Sequence, residues 1–125
     1  MAYASRRGRA LMDRELYLPK VWIDDMARRG VAHVPEEDVF ATKPQLAQKM
    51  IERAMAAQVP FAWITGDEVY GDNCSLRVWL EQQERHFVLA VACNQYVWPD
   101  MGGAGHGGAA RSDAAGAGLD ALVGW

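Results

Sequence analysis

The chain has 125 residues, half of them apolar and 23% charged, with a formal net charge of −3. That length suits one domain, and that composition suits a packed core rather than a disordered chain. A weakly acidic balance excludes a strongly basic nucleic-acid binder, and no apolar run reaches the roughly 18–20 residues of a membrane span. Two cysteines, Cys74 and Cys93, are too few for a secreted disulfide framework. The N-terminal string MAYASRRGRALMDREL has no apolar stretch behind its arginines, so no secretory signal is expected and the cytoplasm is the default compartment.

In chain order, Ala2 to Ser5 reads as a strand and Arg6-Arg7-Gly8-Arg9 as a tight turn, with Gly8 free to take positive φ. Ala10 to Leu18 alternates roughly, which predicts a second strand and a hairpin. Pro19 ends it. Val21 to Arg29 suggests a short helix with Trp22 and Met26 on one side, and Gly30 to Phe40 is irregular. The clearest helix runs from Lys43 to Gln58. Thr42 and Gln45 form a capping-box pattern, Pro44 sits in the first turn, and Leu46, Ala47, Met50, Ile51, Ala54 and Met55 recur at helical spacing.

Phe61-Ala62-Trp63-Ile64-Thr65 is a continuous apolar run, which predicts a strand buried on both faces. Gly66 to Gly71 reads as a loop, with the two glycines allowing sharp turns. A helix then starts near Asp72 or Asn73, with Leu76, Trp79 and Leu80 inward. His86 to Ala92 is a further buried strand. The second half is thus a β-α-β unit with a parallel pair, and the whole is an α/β fold with a mixed sheet. Trp22, Trp63 and Trp79 are expected in the core.

From Met101 the text becomes MGGAGHGGAARSDAAGAGLDALVGW. Eight of the 12 glycines fall in these last 25 residues. Glycine at that density is entropically expensive to order, so residues 100–125 are expected to be a disordered tail.

Parallel strands gather ligands at their carboxyl ends. Asp67 follows the FAWIT strand at such an end, where a carboxylate can hold a hard divalent cation. The competing reading is an aspartate that caps the next helix or solvates a loop.

WITGDEVYG, preceded by ATKPQLAQKMIERAMAAQVPFA and followed by LRVWLEQQERHFVLAVACNQ, resembles the central part of a bacterial insertion-sequence transposase of the DDE superfamily. AYASRRGRALMDRELYLPKVW resembles the same family just upstream. The likeness spans residues 2 to 98 without large gaps. It implies a ribonuclease H-like mixed sheet and the cutting and rejoining of DNA ends with two Mg²⁺ ions. Two aspartates and a glutamate hold those ions in the family. The second aspartate lies at the end of the fourth strand in a D-x-x-Y-G setting, which Asp67, Tyr70 and Gly71 match. Asp67 is therefore the implied catalytic and metal-binding residue.

The resemblance also implies what is not matched. The family's first aspartate would precede Ala2. Its glutamate would lie past Trp98-Pro99, where the likeness stops, and Asp113 and Asp120 do not fit its context. The expectation is a partial catalytic domain over 1–99, a fragment of a frameshifted gene that is silent alone. A different class is a non-catalytic module that binds or inhibits an intact transposase. An uncovered sheet edge would favour self-association.

Other candidates have plainer readings. Glu68 points away from its neighbour Asp67 and is expected to be solvated. Asp24-Asp25 and Glu36-Glu37-Asp38 read as surface. Cys74, Cys93, His33, His86 and His106 lack zinc-ligand spacing, and the cysteines read as buried structural thiols. Arg6, Arg7, Arg9 and Arg14 form a small basic cluster that could touch phosphates in a transposase, or could simply be a solvated turn.

Overall fold

The computed structural model of the chain describes residues 1–94 and 121–123. The hairpin forms as its sequence suggests. Strands β1 (Ala2–Ser5) and β2 (Gly8–Leu11) pair antiparallel, with Gly8 at a φ of 143° in the turn. The second arm stops at Leu11 rather than Leu18. Strand β1 offers it only four partners, and the amides of Met12 and Asp13 turn back onto the Met1 carbonyl at 3.2 and 3.5 Å.

The helix expected over Val21–Arg29 is two short ones, α1 (Lys20–Ile23) and α2 (Met26–Val31). Asp25 breaks the run because its carboxylate accepts from the Arg28 amide at 2.9 Å and starts a new helix. Trp22 lies under the Arg28 guanidinium, 4.0 Å from its ring centroid, and Met26 is exposed. Buried Arg29 donates to the carbonyls of Pro35 and Asp38 at 2.6 and 3.0 Å, which orders the irregular segment that follows.

Helix α3 (Lys43–Ala56) carries the full capping box between Thr42 and Gln45 and buries Leu46, Met50, Ile51 and Ala54. It ends two residues before the expected Gln58, which takes a left-handed φ of 54°. Strand β3 (Trp63–Gly66), helix α4 (Glu68–Gly71), helix α5 (Cys74–Gln82) and strand β4 (His86–Leu89) make the β-α-β unit, with β3 and β4 parallel. Asn73 caps α5 by accepting from the Leu76 amide at 2.8 Å. Neither strand is buried on both faces. Only Ile64 of β3 is fully inside, and β4 alternates exposed and half-buried positions because it is the outermost strand of the sheet. Trp22, Trp63 and Trp79 are half-buried.

A fifth strand, β5 (Ala121–Val123), lies in the middle of the sheet, whose order is β2-β1-β5-β3-β4. It runs antiparallel to β1 and parallel to β3. Leu122 is 1% exposed and joins Met1, Met50, Ile64, Leu76 and Leu80 in one core. The Thr65 hydroxyl donates to its carbonyl at 3.3 Å. At these three residues the structure differs from the expected disordered tail, because a leucine packed in a sheet interior supplies the reward that glycine lacks. The rest of that expectation lies outside the described residues, as do Trp98, Asp113, Asp120, His106 and Trp125. The result is α/β with a mixed sheet.

Candidate functional site at the end of strand β3

Strand β3 ends at Gly66, and Asp67 stands at its carboxyl end as the first residue past the sheet. The expected loop is wound into α4, and Asp67 is its N-cap, with Oδ1 accepting from the Val69 amide at 3.0 Å. The capping role weighed against the metal role is therefore real. It engages one carboxylate oxygen. Among the described residues Oδ2 has no hydrogen-bond partner, and the side chain is exposed.

The glycines act differently from the turn role expected of them. Neither takes positive φ. A Cβ on Gly66 would meet Leu89 Cδ2 at 3.0 Å and Tyr70 Cδ2 at 3.2 Å. A Cβ on Gly71 would collide with the Ala90 carbonyl oxygen. Both glycines let α4 lie flat against the end of β4, which fixes Asp67 and Tyr70 at the sheet's rim. Tyr70 is buried, and its phenol is pushed up from the ordinary 10.0, first by that burial and then by the Asp67 charge.

Asp67 and Tyr70 line a cleft of about 420 Å³ with Met1, Arg14, Glu15, Tyr17, Lys43, Leu46 and Met50. Glu15 is the second carboxylate on this cleft. Its Oε1 is held by Arg53 at 2.6 Å, and the same guanidinium binds Asp13 at 2.8 Å. The Arg53 hydrogen bond holds the Asp13 carboxyl below its ordinary 3.8. Lys43 and Tyr17 face one another, with the ammonium 5.5 Å from the ring centroid.

The remaining candidates are dispersed. Glu68 is exposed beside Asp67, and Asp24 and Asp25 are exposed. Cys74 and Cys93 are exposed free thiols, not buried ones: Cys74 opens α5 on its outer side and Cys93 follows β4. His86 packs on Trp63 at 5.2 Å, and His33 sits in a left-handed turn at a φ of 52°. Arg6 and Arg7 stay in the hairpin turn, with Arg9 beside them on β2, while Arg14 reaches the Asp67 cleft. Sequence reasoning missed Glu15, Tyr17, Lys43 and Arg53. They meet only through tertiary contacts between the segment after β2 and helix α3, and no local pattern signals that.

Residues 1–109 match the family described as DDE superfamily endonuclease. The chain belongs to that family. No curated protein and no solved structure matches it. Family membership makes it a transposase-like nuclease domain, with DNA as the substrate class and a dependence on divalent metal ions. The residues described do not fit a pair of metal ions. Among them, no three His, Cys, Asp or Glu side chains are placed to hold a metal ion, and the other carboxylate lining the cleft, Glu15, is ion-paired with Arg53. Nor is any helix among them long and apolar enough to cross a membrane.

Proposed function

We propose that this chain carries one of the three metal-holding acids of an insertion-sequence transposase, Asp67, and acts in the cutting and joining of DNA ends only when further acids are supplied. The observation that carries this reading is the placement of Asp67. It stands at the carboxyl end of a parallel strand, on the wall of a cleft, with one carboxylate oxygen unengaged among the described residues. That is where an open α/β sheet presents ligand-binding groups. Mg²⁺ is the proposed ion, since it needs only one or two protein carboxylates beside water and phosphate. Cleavage asks more: the attacking water and the leaving oxygen must both be positioned and their charge stabilised. One solvated carboxylate does not do this, so the isolated chain is proposed to be silent, in the cytoplasm.

The test is a cleavage assay on end-labelled DNA with Mg²⁺ or Mn²⁺. The chain should give no more product than buffer. A complete catalytic domain containing this segment should cut, and Asp67→Asn should abolish that. Turnover by the isolated chain that Asp67→Asn removes would contradict the silent state. Full activity of the complete domain carrying Asp67→Asn would remove Asp67 from the site.

A second reading, a module that binds an intact transposase or a second copy, is favoured by strand β2. It is an outer strand, exposed at every position, with Leu11 77% exposed. Such edges pair readily with other chains. Size-exclusion with light scattering, with and without an intact transposase, tests it: a single peak at monomer mass in both runs would exclude it.

A further inference from the structure

The basic residues of the sequence divide in space, and the division follows from strand direction. Ala2 of β1 pairs with Val123, which pairs with Thr65, next to Gly66 and Asp67. The start of β1 and the end of β2 therefore lie at the Asp67 end of the sheet. The hairpin turn at Ser5–Gly8 lies at the opposite end, because β1 runs against β5 and β3. Arg6 and Arg7 are carried away from Asp67, and Arg14, beyond the end of β2, is carried toward it. Lys43, in the first turn of α3, meets it there, and both line the Asp67 cleft.

The charges in this cleft are unevenly compensated. Arg53 bridges Glu15 at 2.6 Å and Asp13 at 2.8 Å. Neither Arg14 nor Lys43 forms an ion pair among the described residues. Arg14 is anchored through its backbone, whose amide donates to Asp13 Oδ1 at 2.7 Å, so its segment is fixed while its guanidinium stays available. Lys43 is steadied over the Tyr17 ring at 5.5 Å. Arg53 thus holds both carboxylates with its one charge, and Arg14 and Lys43, without carboxylate partners among the described residues, are left to meet an anion from outside.

We propose that Arg14 and Lys43 are the positioning residues that hold the phosphate backbone of DNA in this cleft, against Asp67. This rests on the reading of Asp67 as an acid of a DNA-processing site. The net charge of −3 does not oppose it. At about 0.15 M salt the Debye length is roughly 8 Å, so the local pair outweighs distant charge. Contacts of this kind hold the substrate in place irrespective of base sequence.

The test is fluorescence anisotropy with a short labelled duplex and the full chain, over a series of salt concentrations. Arg14→Ala and Lys43→Ala should each weaken binding and flatten the plot of log K against log salt by about 0.9, one phosphate contact each, and the double variant by about twice that. Two unrelated DNA sequences should lose affinity equally. Arg6→Ala and Arg7→Ala, at the far end of the sheet, should leave both affinity and slope unchanged. Circular dichroism of these exposed-site variants checks that they fold. Binding that the cleft variants leave intact, or that the turn variants abolish, would overturn the assignment and leave the DNA-processing reading standing. No binding by any form at low salt would sink both.

Discussion

The two sides of the central sheet are put together in opposite ways. From β3 to β4 the chain makes a local unit: a strand, a capped one-turn helix, a second capped helix and a parallel strand, all within about one β-α-β length. On the other side β1 and β3 never pair directly; β5, from the far end of the chain, lies between them. The Thr65 hydroxyl and the Leu122 carbonyl that it meets are 57 positions apart. Asp67 sits at the end of β3 within the local unit, but the cleft around it is walled by Met1, the segment after β2 and helix α3. The place of the Asp67 carboxylate is therefore set by local sequence, and its surroundings by long-range assembly.

The difference can be broken experimentally, most severely at Gly71. Gly71→Ala forces a methyl group into the Ala90 carbonyl oxygen, a clash with backbone that no side-chain rotation relieves. A loss above about 3 kcal/mol, or outright unfolding, is expected in a urea titration. An unchanged midpoint would mean that α4 does not lie against β4.

Next come the two most buried leucines, one on each side of the comparison: Leu80 at 0% exposure and Leu122 at 1%. Leu80→Ala and Leu122→Ala should each lower stability by about 3 kcal/mol, from lost transfer energy and the cavity left behind. A silent Leu122→Ala beside a damaging Leu80→Ala would show that β5 does not hold the sheet together. A smaller effect, about 1 kcal/mol, is expected from Thr42→Ala, which removes the hydroxyl of the α3 capping box. Thermal melts followed by circular dichroism measure both.

The finest probe is the titration of Tyr70. Burial and then Asp67 hold its phenol above 10.0, so the folded state favours the neutral form. The stability this contributes is present below pH 10 and is lost as the pH rises through the folded-state value. Asp67→Asn should move the phenol back down, though not to 10.0, because burial remains. Absorbance near the phenolate band, followed against pH, reads this. No movement would place Asp67 farther from Tyr70 than the rim of the sheet allows.

Much of the local unit was legible in the sequence. The capping box and Asn73 marked the starts of α3 and α5, and the apolar run at 61–65 marked β3, because each signal lies within a few residues of its partner. The reasons for Gly66 and Gly71 were not legible: the atoms that exclude a side chain there belong to Tyr70 and to the end of β4. Leu122 gave no sign of its place, since the three-residue apolar run Ala121-Leu122-Val123 follows a long glycine- and alanine-rich stretch and is too short to show a period. In the cleft, the place of Asp67 just past β3 was legible from the apolar run before it. Those of Glu15, Lys43 and Arg53 were not, because their meeting depends on where the end of the hairpin meets α3. The exposed Cys74 thiol was misread for a related reason: which side of α5 faces water is decided by the sheet it packs on.

The central claim is the proposal that Asp67 is a metal-holding acid with no companion acids gathered around it among the described residues. Titration of the isolated chain with Mn²⁺, followed by the loss of the free-ion paramagnetic resonance signal, tests this most directly. Only weak binding is expected, far from saturation at millimolar ion and further weakened by Asp67→Asn. Tight binding of two ions per chain would contradict it.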